Sequence, residues 1–202
     1  MSAAEMMKLY ITTPSPFARK CRVVAREKGV SLEEVVVDPY ANAPELLAYN
    51  PLIQVPSLIA EDGLPLNDSP IICEYLDMVG SGPRLTPESG PERLRVRRIE
   101  ATADGLLEMG VKLVLEKRRP EHERSPSWME RWAANMHRAL DALEAADLSA
   151  DDFHIGSLTA GIALTWISFR HPDFDWATGR PRLVALQAAL EARPSFAATQ
   201  PA

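Results

Sequence analysis

The stretch Asn50-Pro-Leu-Ile-Gln-Val-Pro-Ser-Leu-Ile-Ala-Glu-Asp-Gly-Leu-Pro-Leu-Asn-Asp-Ser-Pro-Ile-Ile-Cys-Glu-Tyr-Leu76 packs two short strands and the opening of a helix into close succession. Ser57 to Ala60 pairs with Pro65 to Asn67 through Glu61-Asp62-Gly63, which reads as a hairpin. Ser69 then caps a helix with Pro70 at its first position. Ile72, Tyr75, Leu76 and Val79 supply its apolar face, and Gly80 terminates it. Val55-Pro56 stands just before the first of these strands, where proline cannot donate to a ladder and an X-Pro bond is free to be cis.

Upstream, Lys8 to Thr12 is a β-prone run stopped by Thr13-Pro14-Ser15-Pro16. A helix follows with Phe17, Cys21, Val24 and Lys28 at helical spacing, Ser15 as cap, Pro16 at the first helical position and Gly29 as terminator. Leu32 to Val37 reads as a strand and Pro44 to Tyr49 as a short helix, so the order is β-α-β, then α, then β-β-α. Downstream the composition changes. Eleven of 17 prolines fall at or before Pro91, and Gly80 to Pro91 is rich in both glycine and proline, which suits a linker. Beyond it, long helices run over Glu92–Arg119 and from Ser125. Leu158–Phe169 is apolar enough for the buried centre of a bundle, and Pro181–Ala192 is the last long element. The expected organisation is an α/β domain over 7–80, a linker over 81–91 and an all-α domain over 92–202.

With 22 basic against 28 acidic residues the net charge is −6. The mean field repels phosphate backbones and anionic lipid, so neither nucleic acid nor membrane is expected as a partner. The two cysteines, Cys21 and Cys73, form no CxxC and read as core residues of a cytoplasmic protein. His122, His137, His154 and His171 have no metal-ligand spacing and read as incidental, so no metal is expected.

Three local patterns support both a structural and a chemical reading. Ser15 suits a helix cap, yet the strand end, tight turn and helix N-terminus around it also favour a thiolate or other anion to which a hydroxyl could donate. A cis bond at Val55-Pro56 would turn the Val55 backbone toward an extended peptide lying as an added strand. Asp68-Ser69 could hold the two charges of an α-amino acid end, the carboxylate on Ser69 and the ammonium on Asp68.

Taken in order, these patterns resemble the cytosolic glutathione S-transferase family over nearly the whole chain, in particular its bacterial members with a Ser-Pro-Phe entry. Ser15-Pro-Phe-Ala-Arg-Lys-Cys-Arg22 is similar to the first-helix entry, and Asn50-Pro-Leu-Ile-Gln-Val-Pro-Ser-Leu58 resembles the NP-L-x-x-VP-x-L loop. Leu66-Asn-Asp-Ser-Pro-Ile-Ile-Cys-Glu-Tyr-Leu76 resembles the acidic-Ser-x-x-I-x-x-Y-L helix start. Ile162-Ala-Leu, Phe169-Arg170 and Arg193-Pro-Ser-Phe196 look like the closing helices.

The resemblance implies a thioredoxin-like N-terminal domain joined to a C-terminal helical bundle, with glutathione as co-substrate, a small electrophile as second substrate, and a homodimer. It assigns Ser15 to the glutathione sulfur, with Thr12 and Thr13 as substitutes, and Val55 to backbone pairing with the cysteinyl unit beside a cis Pro56. Asp68 and Ser69 take the γ-glutamyl end, and Gln54 the glycyl side. Asp104, Glu108 and Val111 share a face of the first long C-terminal helix and are the expected electrophile pocket. A non-catalytic glutathione-binding or regulatory protein, or a glutathione-dependent isomerase, dehalogenase or peroxidase, is the alternative.

Two departures stand out. Ile53 occupies the place of a common glycine, and the family's Ser/Thr-x-x-Asp capping box falls on Leu158 and Gly161. The central helix is therefore expected to lose about 1 kcal/mol at its start unless Ser157 or Thr159 caps it. Ser15-Pro-Phe-Ala18 holds no cysteine, which excludes dithiol exchange.

Overall fold

The computed structural model describes residues 6–202. They form two compact units, one ending at Arg84 and taking in Pro194–Ala202, the other spanning Leu85–Arg193. The division falls between Arg84 and Leu85, and the C-terminal residues Pro194–Ala202 group with the first unit.

The first unit runs β1 (Lys8–Ile11), α1 (Pro16–Glu27), β2 (Glu33–Val36), a 3-10 turn (Pro39–Ala41), α2 (Pro44–Leu47), β3 (Ser57–Ile59), β4 (Pro65–Asn67) and α3 (Ser69–Val79). Its sheet has the order β2-β1-β3-β4, with β1 parallel to β2 and antiparallel to β3, and β3 antiparallel to β4. This is a thioredoxin-like arrangement. Alternation along β1 sorts its side chains between two faces. Tyr10 joins Val37, Ala43 and Leu46 in a buried cluster against which Ile53 and Val55 pack. Leu9, Ile11, Leu58, Ile72 and Leu76 are each no more than 1% exposed. Burial of such side chains contributes about 1.5–3 kcal/mol apiece.

The helix ends show why local sequence suffices to start and stop them. Ser15 Oγ accepts the Ala18 N–H at 3.2 Å, with Pro16 where no N–H is needed. Gly29 ends α1 at φ 64°, in the left-handed region. At Gly80 the demand is space rather than conformation, since a Cβ there would lie 2.5 Å from the Lys28 Cβ. Lys28 itself, expected only as part of an apolar helical pattern, forms a buried ion pair with Asp77 at 3.0 Å and donates to the Pro83 carbonyl at 2.8 Å. The returning segment carries α8 (Pro194–Ala197). Arg19, buried on α1, donates to the Phe196 carbonyl at 3.1 Å, and its guanidinium lies 5.4 Å from the Phe196 ring centre.

The second unit holds α4 (Gly90–Arg118), α5 (Pro126–Ala145), α6 (Ile155–Arg170) and α7 (Pro181–Glu191). The apolar α6 is buried along most of its length and packs on α4 and α7. It begins at Ile155, three residues earlier than expected, and this overturns the expectation of an uncapped start. His154 Nδ1 accepts the Ser157 N–H and Ser157 Oγ accepts the His154 N–H, each at 3.0 Å. A capping box is thus present, with an imidazole as the capping acceptor. Burial pushes the His154 pKa below that of a free imidazole, keeping the Nδ1 lone pair available at neutral pH. His171 is likewise engaged, its Nε2 lying 3.0 Å from the Gly110 carbonyl. Neither histidine is incidental.

Candidate functional site

The strand register brings the candidate residues of the first unit to one end of the sheet. Tyr10 on β1 pairs with Ser57 on β3, and Ser57 with Asn67 on β4. The residues just beyond this row are the Thr12–Ser15 turn after β1, Val55-Pro56 before β3, and Asp68-Ser69 after β4. The N-termini of α1 and α3 open at the same end, so two partial positive charges converge there. Contact between the helices continues the link, with Cys21 Sγ 3.9 Å from the Ser69 carbonyl.

Ser15 is half-buried and its oxygen is used as a cap acceptor. Among the described residues its O–H meets no acceptor, so capping and donation to a ligand are compatible. Thr12 is half-buried, and the exposed Thr13 donates through Oγ1 to the Ala202 carbonyl at 3.2 Å.

The Val55-Pro56 bond is cis. Among the described residues neither the N–H nor the C=O of Val55 has an intrachain hydrogen-bond partner. The loop before it is held by Asn50, which sequence reasoning quoted only as part of a motif. Asn50 Nδ2 donates to the Gln54 carbonyl at 2.9 Å and to Ser57 Oγ at 2.8 Å, while its Oδ1 accepts the Leu52 N–H at 2.9 Å. Asn50 is buried and the Gln54 side chain exposed. Ile53 has φ 50°, an uncommon conformation for a β-branched residue. It retains the left-handed turn that a glycine would make without strain.

At the third position Ser69 is the first residue of α3 rather than its cap, and Pro70 is the second; Asp68 is the N-cap but makes no side-chain capping bond. Asp68 sits at φ 71°, ψ 131°, a strained conformation for a residue with a Cβ, and its side chain is exposed. Ser69 is 1% exposed, and among the described residues its Oγ has no hydrogen-bond partner. A buried hydroxyl of this kind costs about 1–3 kcal/mol when left unmade.

Asp104, Glu108 and Val111 lie on α4, in the second unit. Asp104 and Val111 are half-buried, and the exposed Glu108 approaches Lys112 at 4.0 Å. Among the described residues no group of three or more His, Cys, Asp or Glu side chains could hold a metal ion, and no helix is long and apolar enough to cross a membrane.

The first unit is thus thioredoxin-like and the second all-helical. Residues 14–79 match the family model of the glutathione S-transferase N-terminal domain, and residues 126–186 that of the C-terminal domain. The chain is 36% identical over 199 residues to the uncharacterized GST-like protein YibF of Escherichia coli (strain K12), covering 96% of this chain and 98% of that protein. Among solved structures it is similar to a glutathione S-transferase of Methylobacillus flagellatus KT with glutathione bound, at TM-score 0.90 and 35% identity, over 97% of this chain and 100% of that one. A glutathione transferase family member from Pseudomonas fluorescens Pf-5, also with bound glutathione, matches at TM-score 0.90 and 33% identity, over 97% and 99% of the two chains. The protein belongs to the glutathione S-transferase family.

Proposed function

We propose that this protein binds glutathione at the open end of its sheet and activates the thiol for attack on a small electrophile. The observation that carries the reading is the buried Ser69 hydroxyl, which has no partner among the described residues, beside an Asp68 held in a strained conformation. Ser69 Oγ and the α3 N-terminus hold the γ-glutamyl carboxylate, and Asp68 accepts the ammonium. The Val55 N–H and C=O pair with the cysteinyl unit, and Gln54 reaches the glycyl side. The similar structures that contain glutathione support the choice of ligand.

Ser15 donates its O–H to the sulfur at the α1 N-terminus. A thiol of pKa about 8.5 is roughly 3% ionised at pH 7; lowering it by about two units gives roughly 76%, for about 2.7 kcal/mol. One charge-assisted hydrogen bond plus the helix terminus is of that size. The thiol proton leaves to solvent, the sulfur forms a bond to the electrophilic carbon, and the leaving group departs with its electron pair. Asp104, Glu108 and Val111 contact the electrophile. The working unit is a homodimer, a reading supported by the exposed Ile71, Met78 and Val79 of α3 and Leu94 of α4.

Calorimetric titration with glutathione tests the binding. Glutathione-dependent consumption of chloronitrobenzene, hydroperoxide and unsaturated-acid substrates tests the chemistry, and light scattering the mass. Absence of binding by the wild type refutes the site. Binding without turnover on any substrate identifies instead a non-catalytic glutathione-binding protein.

A further inference from the structure

Cys21 and Cys73 are the two cysteines of the chain, and the mechanism above uses neither. Neither is in a disulfide; both are buried, at 0% and 2% exposure, and they face each other across the α1–α3 contact with their sulfurs 3.8 Å apart. The thiols form a directed chain: Cys73 S–H donates to the Cys21 sulfur, and Cys21 S–H points at the Ser69 carbonyl, 3.9 Å away. The pair therefore touches the first turn of α3, where the glutathione carboxylate is proposed to sit.

We infer that Cys21 and Cys73 are an oxidisable pair, converted by a small hydroperoxide to a disulfide bridging α1 and α3, and that this bridge weakens the hold of Ser69 on glutathione. The second half rests on the reading of the site given above.

The chemistry balances in two steps. The Cys73 thiol, the less enclosed of the two, gives up its proton and its sulfur attacks one oxygen of the peroxide; the O–O bond breaks, the sulfur keeps that oxygen as S–OH, and the other oxygen leaves with the thiol proton as water, or as an alcohol from an organic hydroperoxide. The Cys21 thiol then attacks the Cys73 sulfur, forming the S–S bond and expelling the oxygen as water. Two thiols lose one electron each and the peroxide gains two. Because the sulfurs already touch, the second step outpaces further oxidation of the first.

Closing the bond brings the sulfurs from 3.8 Å to about 2.05 Å. It also consumes the S–H that faces the Ser69 carbonyl. The first turn of α3 is drawn with it, and Ser69 loses its alignment to the carboxylate.

The test uses the wild-type chain treated with one equivalent of hydrogen peroxide, quenched, denatured and exposed to N-ethylmaleimide. The expected result is a mass lower by about two hydrogens, no maleimide uptake, and a peptide linking Cys21 to Cys73 after digestion. Dithiothreitol restores two maleimide-reactive thiols. Glutathione titration of the oxidised chain should show affinity about tenfold or more weaker, recovering on reduction. Cys21→Ala and Cys73→Ala should keep the affinity of the reduced wild type and lose its response to peroxide.

Two maleimides on the peroxide-treated chain, a gain of oxygens without a link, or a disulfide between two copies would overturn the pair. A bridged protein that binds glutathione as tightly as the reduced one overturns the coupling alone. A reduced protein that binds no glutathione condemns the site reading and leaves the mass measurement to judge the pair.

Discussion

Replacing Ser69 by alanine should move stability and affinity in opposite directions. Ser69 is 1% exposed and its hydroxyl has no partner among the described residues. A buried unmade hydrogen bond costs about 1–3 kcal/mol, and Ser69→Ala removes that cost together with the group. Alanine also suits the first turn of a helix at least as well as serine. Ser69→Ala should therefore stabilise the free chain by about 1–2 kcal/mol, raising the melting temperature by about 2–8 °C at about 2–4 °C per kcal/mol for a protein of this size. In the proposed glutathione complex the same hydroxyl donates to a carboxylate, and a bond to a charged group contributes about 1.5–3 kcal/mol. Its loss should weaken binding by about 10- to 150-fold. Differential scanning calorimetry of the free protein and isothermal titration with glutathione measure the two halves. A variant that melts lower than wild type and binds glutathione equally well would show that the hydroxyl serves the helix, and the reasoning would fail.

Three further outcomes follow from other parts of the molecule. Ser15→Ala should raise the pKa of the bound thiol by about one to two units and lower turnover at neutral pH while leaving affinity nearly unchanged; thiolate absorbance against pH decides this, and an unchanged pKa with loss of activity on Thr12 or Thr13 substitution moves the donor upstream. His154 caps α6 as a neutral imidazole whose pKa is pushed down by burial, so the unfolded chain binds the proton more readily and this contribution is present above the unfolded pKa of about 6.5 and lost as pH falls from there through the lower folded value. His154→Asn keeps a capping acceptor without the titration, and urea unfolding between about pH 5 and 8 should show a smaller loss of stability on the acid side than in wild type; identical profiles would refute the assignment. Lys28→Met leaves Asp77 buried without its ammonium and should cost about 3–5 kcal/mol, with Lys28→Met/Asp77→Leu less destabilised than the single variant; a single-variant cost below about 1 kcal/mol would show that water reaches the pair.

Sequence reading served best where a structural demand is local. Ser15, Pro16 and Gly29 announce both ends of α1 because a cap, a missing donor and a left-handed residue each act within one turn. The family resemblance marks Ile53 as a glycine position, and the left-handed turn persists there with a bulkier side chain. Long-range features were hidden for equally physical reasons. Nothing in the local pattern of Lys28 reveals that Asp77 lies opposite it, and Asn50 acquires its role only when Gln54 and Ser57 close around its amide. The His154 cap was missed because histidine is an unusual capping residue and its partner at the third helical position is serine rather than Glu or Gln. The convergence of Ser15, Val55, Asp68 and Ser69 depends on the Tyr10–Ser57–Asn67 row, a register that no single segment encodes.

The return of Pro194–Ala202 to the first unit bears on how the chain is made. Arg19 is synthesised early and is buried in the finished protein, yet its partners Phe196 and Thr199 emerge from the ribosome only after all of Leu85–Arg193. The usual order, in which an N-terminal domain completes itself while the rest is still being translated, is therefore closed to this one. Until residues 194–199 arrive, the Arg19 guanidinium lacks the Phe196 ring and carbonyl that close over it, and the first unit is incomplete.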